Sequence, residues 1–108
     1  MIFMDCIFCQ IINKEKTADF IYEDEIVIAV KDINPKAPFH LLIIPKKHIT
    51  SVRELTEGDR QLIGDLILTA KKIAEQNNLT GYKLLFNVGR RGGQIVDHIH
   101  LHLLSQGD

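Results

Sequence analysis

The chain carries almost no net charge, only two cysteines, three prolines and no tryptophan. Thirteen basic residues against fourteen acidic ones leave a formal charge of −1, so the broad basic surface that neutralises a nucleic-acid backbone is not expected. No window approaches the length of a membrane span. The opening Met1-Ile2-Phe3-Met4-Asp5 lacks the basic region and long apolar stretch of a signal peptide. These absences point to the cytoplasm, with small ligands as partners rather than nucleic acid or membrane. Two cysteines are too few for a disulfide scaffold, and a structural disulfide is not expected in a reducing compartment. Internal repeats, linkers and low-complexity segments are also lacking, so the 108 residues read as one domain spanning 1–108. At 45% hydrophobic and 25% charged, the composition is that of a folded chain.

Periodicity gives the elements. Ile7, Phe8, Ile11 and Ile12 recur four residues apart and predict a short helix over 6–13 with Asp5 as its cap. Strands are expected over 19–22 and 26–31, joined through Glu23-Asp24-Glu25 as a hairpin. Pro35 and Pro38 each remove a backbone donor, which makes 32–38 a loop. The nearly continuous apolar run 39–45 fits a central strand buried on both faces. Leu62, Ile63, Leu66, Ile67, Ala70, Ile73 and Ala74 share one face of a long helix that starts near Thr56 and stops at Asn77-Asn78. Two further strands, 82–88 and 95–104, flank the glycine-rich basic turn Gly89-Arg90-Arg91-Gly92-Gly93. The sum is an α+β domain with a mainly antiparallel sheet of about five strands, one long helix and one short one.

The most informative segment is Asp97-His98-Ile99-His100-Leu101-His102-Leu103-Leu104. In a strand, His98, His100 and His102 share one face, about 7 Å from one to the next, while Ile99, Leu101 and Leu103 share the other. Imidazole changes charge near neutral pH and serves as nucleophile, acid or metal ligand. Three readings follow: satisfied core histidines, an open three-histidine metal site, or a nucleophile with positioned helpers. Gly92-Gly93-Gln94 just upstream lets backbone donors approach a phosphate, and His40 and His48 lie on or beside the central strand.

Gly92-Gly93-Gln94, Val96 and the His98-x-His100-x-His102 pattern resemble the signature of the histidine triad family. Upstream, Asp32-Ile33-Asn34-Pro35, Pro38, His40, Ile44-Pro45-Lys46-Lys47-His48-Ile49 and Gly81-Tyr82 resemble its Hint-like branch of nucleoside phosphoramidases. The resemblance implies a histidine triad fold in which His100 attacks the α-phosphorus of a purine nucleoside phosphate derivative. A covalent histidine–nucleotide intermediate is then hydrolysed. It further implies that His102 contacts the phosphate or leaving group and His40 orients the site. Asp32 would hold the ribose hydroxyls, Ile33 wall the base, and Asn87, Gly93 and Gln94 lie near the phosphate. The expected scissile bond is the P–N bond of a phosphoramidate, with no metal required for the chemistry. A homodimer is implied too, with the long helix and the 82–88 strand as its interface. Dinucleoside polyphosphate hydrolysis of the Fhit-like kind and nucleotide binding with little turnover are the alternatives.

Cys6-Ile7-Phe8-Cys9 resembles the segment of those relatives that hold a structural zinc ion. The resemblance assigns the remaining ligands to His48 and His98, a closed two-cysteine, two-histidine set. A redox Cys-x-x-Cys would call for a thioredoxin-like βαβ unit, which does not surround it. Two positions depart from the family pattern. Ile95 stands where members often have Ser or Thr to assist the leaving group, and only Ser105-Gln106-Gly107-Asp108 follow Leu104, where relatives continue into a tail carrying Trp and Pro.

Overall fold

The seven residues Phe39–Pro45, apolar except for His40, form the middle strand of the sheet in the computed structural model, which describes residues 6–107. In chain order the elements are α1 (Ile7–Ile12), β1 (Phe20–Glu23), β2 (Val27–Lys31), β3 (Phe39–Pro45), α2 (Arg60–Gln76), β4 (Lys83–Leu85) and β5 (Leu101–Ser105). The sheet is five-stranded and antiparallel throughout, in the order β1-β2-β3-β5-β4. The β1–β2 hairpin turns on Asp24, whose Oδ1 accepts from the amides of Ile26 and Val27 at 2.7 and 2.9 Å. No helix among the described residues is long and apolar enough to cross a membrane.

Because side chains alternate along each strand, the sheet has two apolar faces and both are covered. Val27, Ala29, Leu41, Ile43, Leu101 and Leu103 pack against Leu66, Ala70 and Ile73 of α2. On the reverse, Ile28, Val30, Leu42 and Ile44 meet Phe8 and Ile11 of α1. This two-sided burial explains why β3 reads as a nearly continuous apolar run. Leu66 is wholly buried, and truncating such a leucine to alanine costs about 2–5 kcal/mol. Six residues cannot sustain an isolated helix, so α1 depends on Phe8 and Ile11. Asp5, expected to cap it, lies outside the described residues; Cys6 stands at the cap position, its Sγ accepting from the Cys9 amide at 3.4 Å.

Three expectations need correction. The long helix begins at Arg60, because Thr56 and Asp59 first close a capping box around a 3₁₀ turn over Glu57–Asp59. On that helix Thr69 is buried while Ile67 is 41% exposed, so the apolar stripe faces the sheet less fully than its spacing suggests. The two C-terminal strands are shorter than 82–88 and 95–104. Gly89 and Gly93, at φ +72° and +90°, bend the chain into a 3₁₀ turn over Arg90–Gly92, and β5 starts only at Leu101. Continuing the β3–β5 register from Ile43↔Leu101 would set Ile99 opposite Pro45. Proline has no amide hydrogen to extend the ladder, and the Pro45 carbonyl is already engaged by the ring of His98 at 2.8 Å. The Ile99 amide bonds instead to the Ile49 carbonyl at 2.7 Å.

Candidate active site and metal centre

His102 lies in β5 on the α1 side of the sheet, opposite Leu42 of β3 and Leu85 of β4. His100 precedes the strand with its ring on the same side, 4.9 Å between centroids from His102, and Phe8 of α1 stands edge-on to it at 5.0 Å. His98 is also edge-on to Phe8, at 5.9 Å. The three imidazoles therefore share a side although only one of them is inside the strand. They do not converge on a common point, because each is held by a different partner.

His98 turns towards the cysteines. Its Nδ1 is 3.4 Å from Cys6 Sγ and 3.6 Å from Cys9 Sγ, and His48 Nδ1 is 3.2 Å from Cys9 Sγ. One donor atom from each of Cys6, Cys9, His48 and His98 lies within 4.8 Å of the others, close enough to hold a metal ion. The fit is chemical as well as spatial. The carbonyl of Pro45 accepts from His98 Nε2 at 2.8 Å, which leaves the Nδ1 lone pair facing the thiols, the arrangement by which outer partners orient ligating histidines. Burial, with Cys6 beside it, pushes the Cys9 thiol up to about 11; a bound cation would reverse this by favouring the thiolate.

His100 is oriented the other way round. Its Nδ1–H donates to the His98 carbonyl at 2.7 Å, so Nε2 carries the lone pair. Burial holds His100 below the ordinary histidine range, with the His98 bond and Asp32 opposing. The ring is thus neutral at pH 7 with one nucleophilic nitrogen uncommitted among the described residues. His102 is pushed down to about 4 by burial and by its neighbours His100 and His40. His40, buried in β3, places Nε2 2.9 Å from His102 Nδ1 and 3.4 Å from Asp32 Oδ2; burial lowers its pKa as well.

Asp32, His40 and His102 also bring donor atoms within 4.8 Å of one another, but the proton positions oppose a cation there. The Lys36 amide donates to His40 Nδ1 at 2.9 Å, which puts the hydrogen of the neutral ring on Nε2, the atom a metal would need.

The other residues singled out from the sequence divide by exposure. Ile33 is 90% and Ile95 81% exposed. Asp32 Oδ1 accepts from the Asn34 amide at 2.8 Å, leaving its second oxygen towards His40. Asn87 reaches His102 Nε2 at 3.3 Å through Nδ2, and a Cβ on Gly93 would sit 3.7 Å from the Asn87 side chain. Gln94 is buried, and its side chain is spent: Nε2 donates to the carbonyls of Thr50 and Val96 at 2.7 and 2.9 Å, and Oε1 accepts from the Gly89 amide at 2.9 Å. It holds the glycine turn in place. Arg90 braces the same turn with a two-pronged bond to Asp97 at 2.9 and 3.0 Å. Sequence reasoning missed Phe8, the Pro45 carbonyl and the Lys36 amide. The last two are backbone groups with no residue-type signal, and Phe8 reads only as core.

An antiparallel five-stranded sheet presenting alternate histidines beside a glycine turn defines a histidine triad protein, and comparison with known proteins agrees. Residues 5–108 match the family model described as "Scavenger mRNA decapping enzyme C-term binding". The purine nucleoside phosphoramidase of Escherichia coli K12 is 45% identical over 103 residues, covering 94% of this chain and 87% of that protein. Protein HitA of Neisseria gonorrhoeae is 45% identical over 102 residues, covering 94% and 95%. A HIT family hydrolase from Legionella pneumophila superposes with a TM-score of 0.92 at 46% identity, over 95% of this chain and 94% of that one. The chain belongs to the histidine triad family and is a hydrolase.

Proposed function

We propose that the protein hydrolyses purine nucleoside 5′-phosphoramidates through a covalent intermediate on His100. The observation that carries this reading is the hydrogen bond from His100 Nδ1–H to the His98 carbonyl, which reserves Nε2 as the attacking atom. The similarity to a purine nucleoside phosphoramidase over nearly the whole chain supports the substrate class. In the first displacement His100 Nε2 bonds to the α-phosphorus. The P–N bond breaks with its electron pair staying on the amine, which takes a proton from the His40–His102 pair in its singly protonated form, leaving both rings neutral. In the second, water attacks phosphorus, returns a proton to His102, and His100 leaves. Splitting the reaction in two replaces one difficult displacement by two easier ones. Asp32 binds the ribose hydroxyls, the exposed Ile33 supports the base, and Asn87 with the Gly93 backbone holds the phosphate. Gln94 acts indirectly, through the turn.

Zinc is the ion that suits two thiols and two imidazoles. Held by Cys6, Cys9, His48 and His98, it would tie α1 to the sheet and supply no chemistry to the reaction. The protein works in the cytoplasm as a homodimer joined through α2 and β4, where Ile67 and Leu68 are 41% and 63% exposed. A second reading is cleavage of a P–O–P bond in a dinucleoside polyphosphate. It is favoured by Ile95, which puts an apolar group where an amine leaving group would gain from a hydroxyl.

The test is steady-state hydrolysis of adenosine 5′-phosphoramidate against diadenosine polyphosphate, with His100→Ala and with chelator present. Faster turnover of the phosphoramidate, abolished in the variant and unaffected by chelator, is the expected result. Preference for the polyphosphate would install the second reading. Adenosine monophosphate binding without turnover of either compound would reduce the protein to a nucleotide-binding module.

A further inference from the structure

The peptide N–H of Lys36 stands at the head of a chain of ring nitrogens that ends in the candidate site. An amide nitrogen only donates, so the 2.9 Å contact with His40 Nδ1 requires that atom to be the acceptor. Neutral imidazole has one hydrogen, and His40 must carry it on Nε2. From there the nearest acceptor is His102 Nδ1 at 2.9 Å, with Asp32 Oδ2 more distant at 3.4 Å. A hydrogen donated into His102 Nδ1 excludes one of its own there, so His102 in turn carries its hydrogen on Nε2. Asn87 Nδ2 lies 3.3 Å from that nitrogen; it is itself a donor, so a hydrogen on His102 Nε2 requires the amide to turn and offer Oδ1 instead.

We propose that the Lys36 backbone N–H is a positioning group that sets the tautomers of His40 and His102, so that His102 presents a hydrogen rather than a lone pair to the substrate. The role belongs to the main chain, not to the lysine side chain. It gives the loop over 32–38 a function beyond joining β2 to β3: Pro35 and Pro38 restrict the backbone around a single amide whose direction decides what a ring two strands away can do. The catalytic consequence rests on the phosphoramidase reading, but the tautomers themselves do not.

The experiment uses the full chain with ¹⁵N-labelled histidine and reads ring tautomers from long-range ¹H–¹⁵N correlations, without substrate. Both His40 and His102 should be Nε2–H in the wild type and in Lys36→Ala, which keeps the amide. Lys36→Pro removes the hydrogen and should move His40 to Nδ1–H and disturb His102. Its kcat on adenosine 5′-phosphoramidate should then fall at least about tenfold with a smaller change in KM, as tautomer errors at catalytic histidines do. Should the proline variant fail to fold, an ester in place of the 35–36 amide deletes the same hydrogen. An Nδ1–H tautomer at either ring of the wild type, or unchanged tautomers when the hydrogen is removed, overturns the proposal. Correct tautomers in a protein that does not turn over phosphoramidates would sink the phosphoramidase reading and leave this one standing.

Discussion

His98 and His100 are two residues apart, of one residue type and on one side of the sheet, yet they belong to different chemistry. His98 gives Nε2–H to the Pro45 carbonyl and aims Nδ1 at two thiols. His100 gives Nδ1–H to the His98 carbonyl and keeps Nε2 free for the candidate site. Which ring nitrogen meets a backbone carbonyl decides whether the imidazole reads as ligand or nucleophile. Spacing along a strand places the rings, and main-chain partners assign their work.

The sharpest way to break this comparison is to delete each ring in turn. His100→Ala should lower turnover at least about a thousandfold, as loss of a nucleophile does, while metal content stays at the wild-type value. His98→Ala should do the reverse in kind: metal is lost and the melting temperature falls, with His100 still able to form its covalent adduct. Equal loss of metal in both variants would mean that the two histidines share one function.

Metal removal tests the ligand half alone. With zinc at a hundred times its Kd, binding contributes about 2.7 kcal/mol, which for a chain of this size raises the melting temperature by about 5 °C or more. Thermal scans with zinc and with chelator should differ by that amount in the wild type and not in a Cys6→Ser, Cys9→Ser variant. Chelation that abolished turnover of the still-folded protein would place the ion in the reaction instead.

Much of this was legible beforehand. β3 showed itself as an apolar run because both faces are buried, α2 by its periodicity, and the histidines by their alternation. What escaped were features set by the main chain. The 95–104 segment has strand-like alternation, but Pro45 opposite Ile99 offers no ladder partner, so pairing starts at Leu101. Ile67 fits the helical stripe, yet a sheet contacts a narrower arc of the helix than the stripe spans. Gln94 stands beside two glycines in a phosphate-binding pattern, and nothing in its type revealed that its side chain turns inward. For that reason Gln94→Ala should act on stability first, costing about 2 kcal/mol or more by leaving buried partners unsatisfied, with any loss of turnover following the loosened turn. A denaturation midpoint unchanged by the substitution would return Gln94 to direct contact with the nucleotide.

Acid titration separates the two sides of the sheet. His102, on the α1 side, has a folded pKa of about 4 against an ordinary 6.5. Between those values the unfolded chain binds a proton that the folded one refuses, so stability falls as pH drops from about 6.5 towards 4. Asp59, at the start of α2, is lowered from its ordinary 3.8 by the Thr56 amide and by Lys47. Its contribution is complete above that ordinary value and disappears below it, as pH falls through the depressed folded pKa. Two windows should therefore appear in a melting curve followed against pH. His102→Gln should shrink the upper window, to which the lowered His40, His98 and His100 also contribute, and spare the lower; Asp59→Asn should shrink the lower, shared with Glu23 and Asp24, and spare the upper. If His102→Gln left the upper window intact, the imidazole would be titrating freely in the folded protein, and the neutral ring assigned to it would have to be given up.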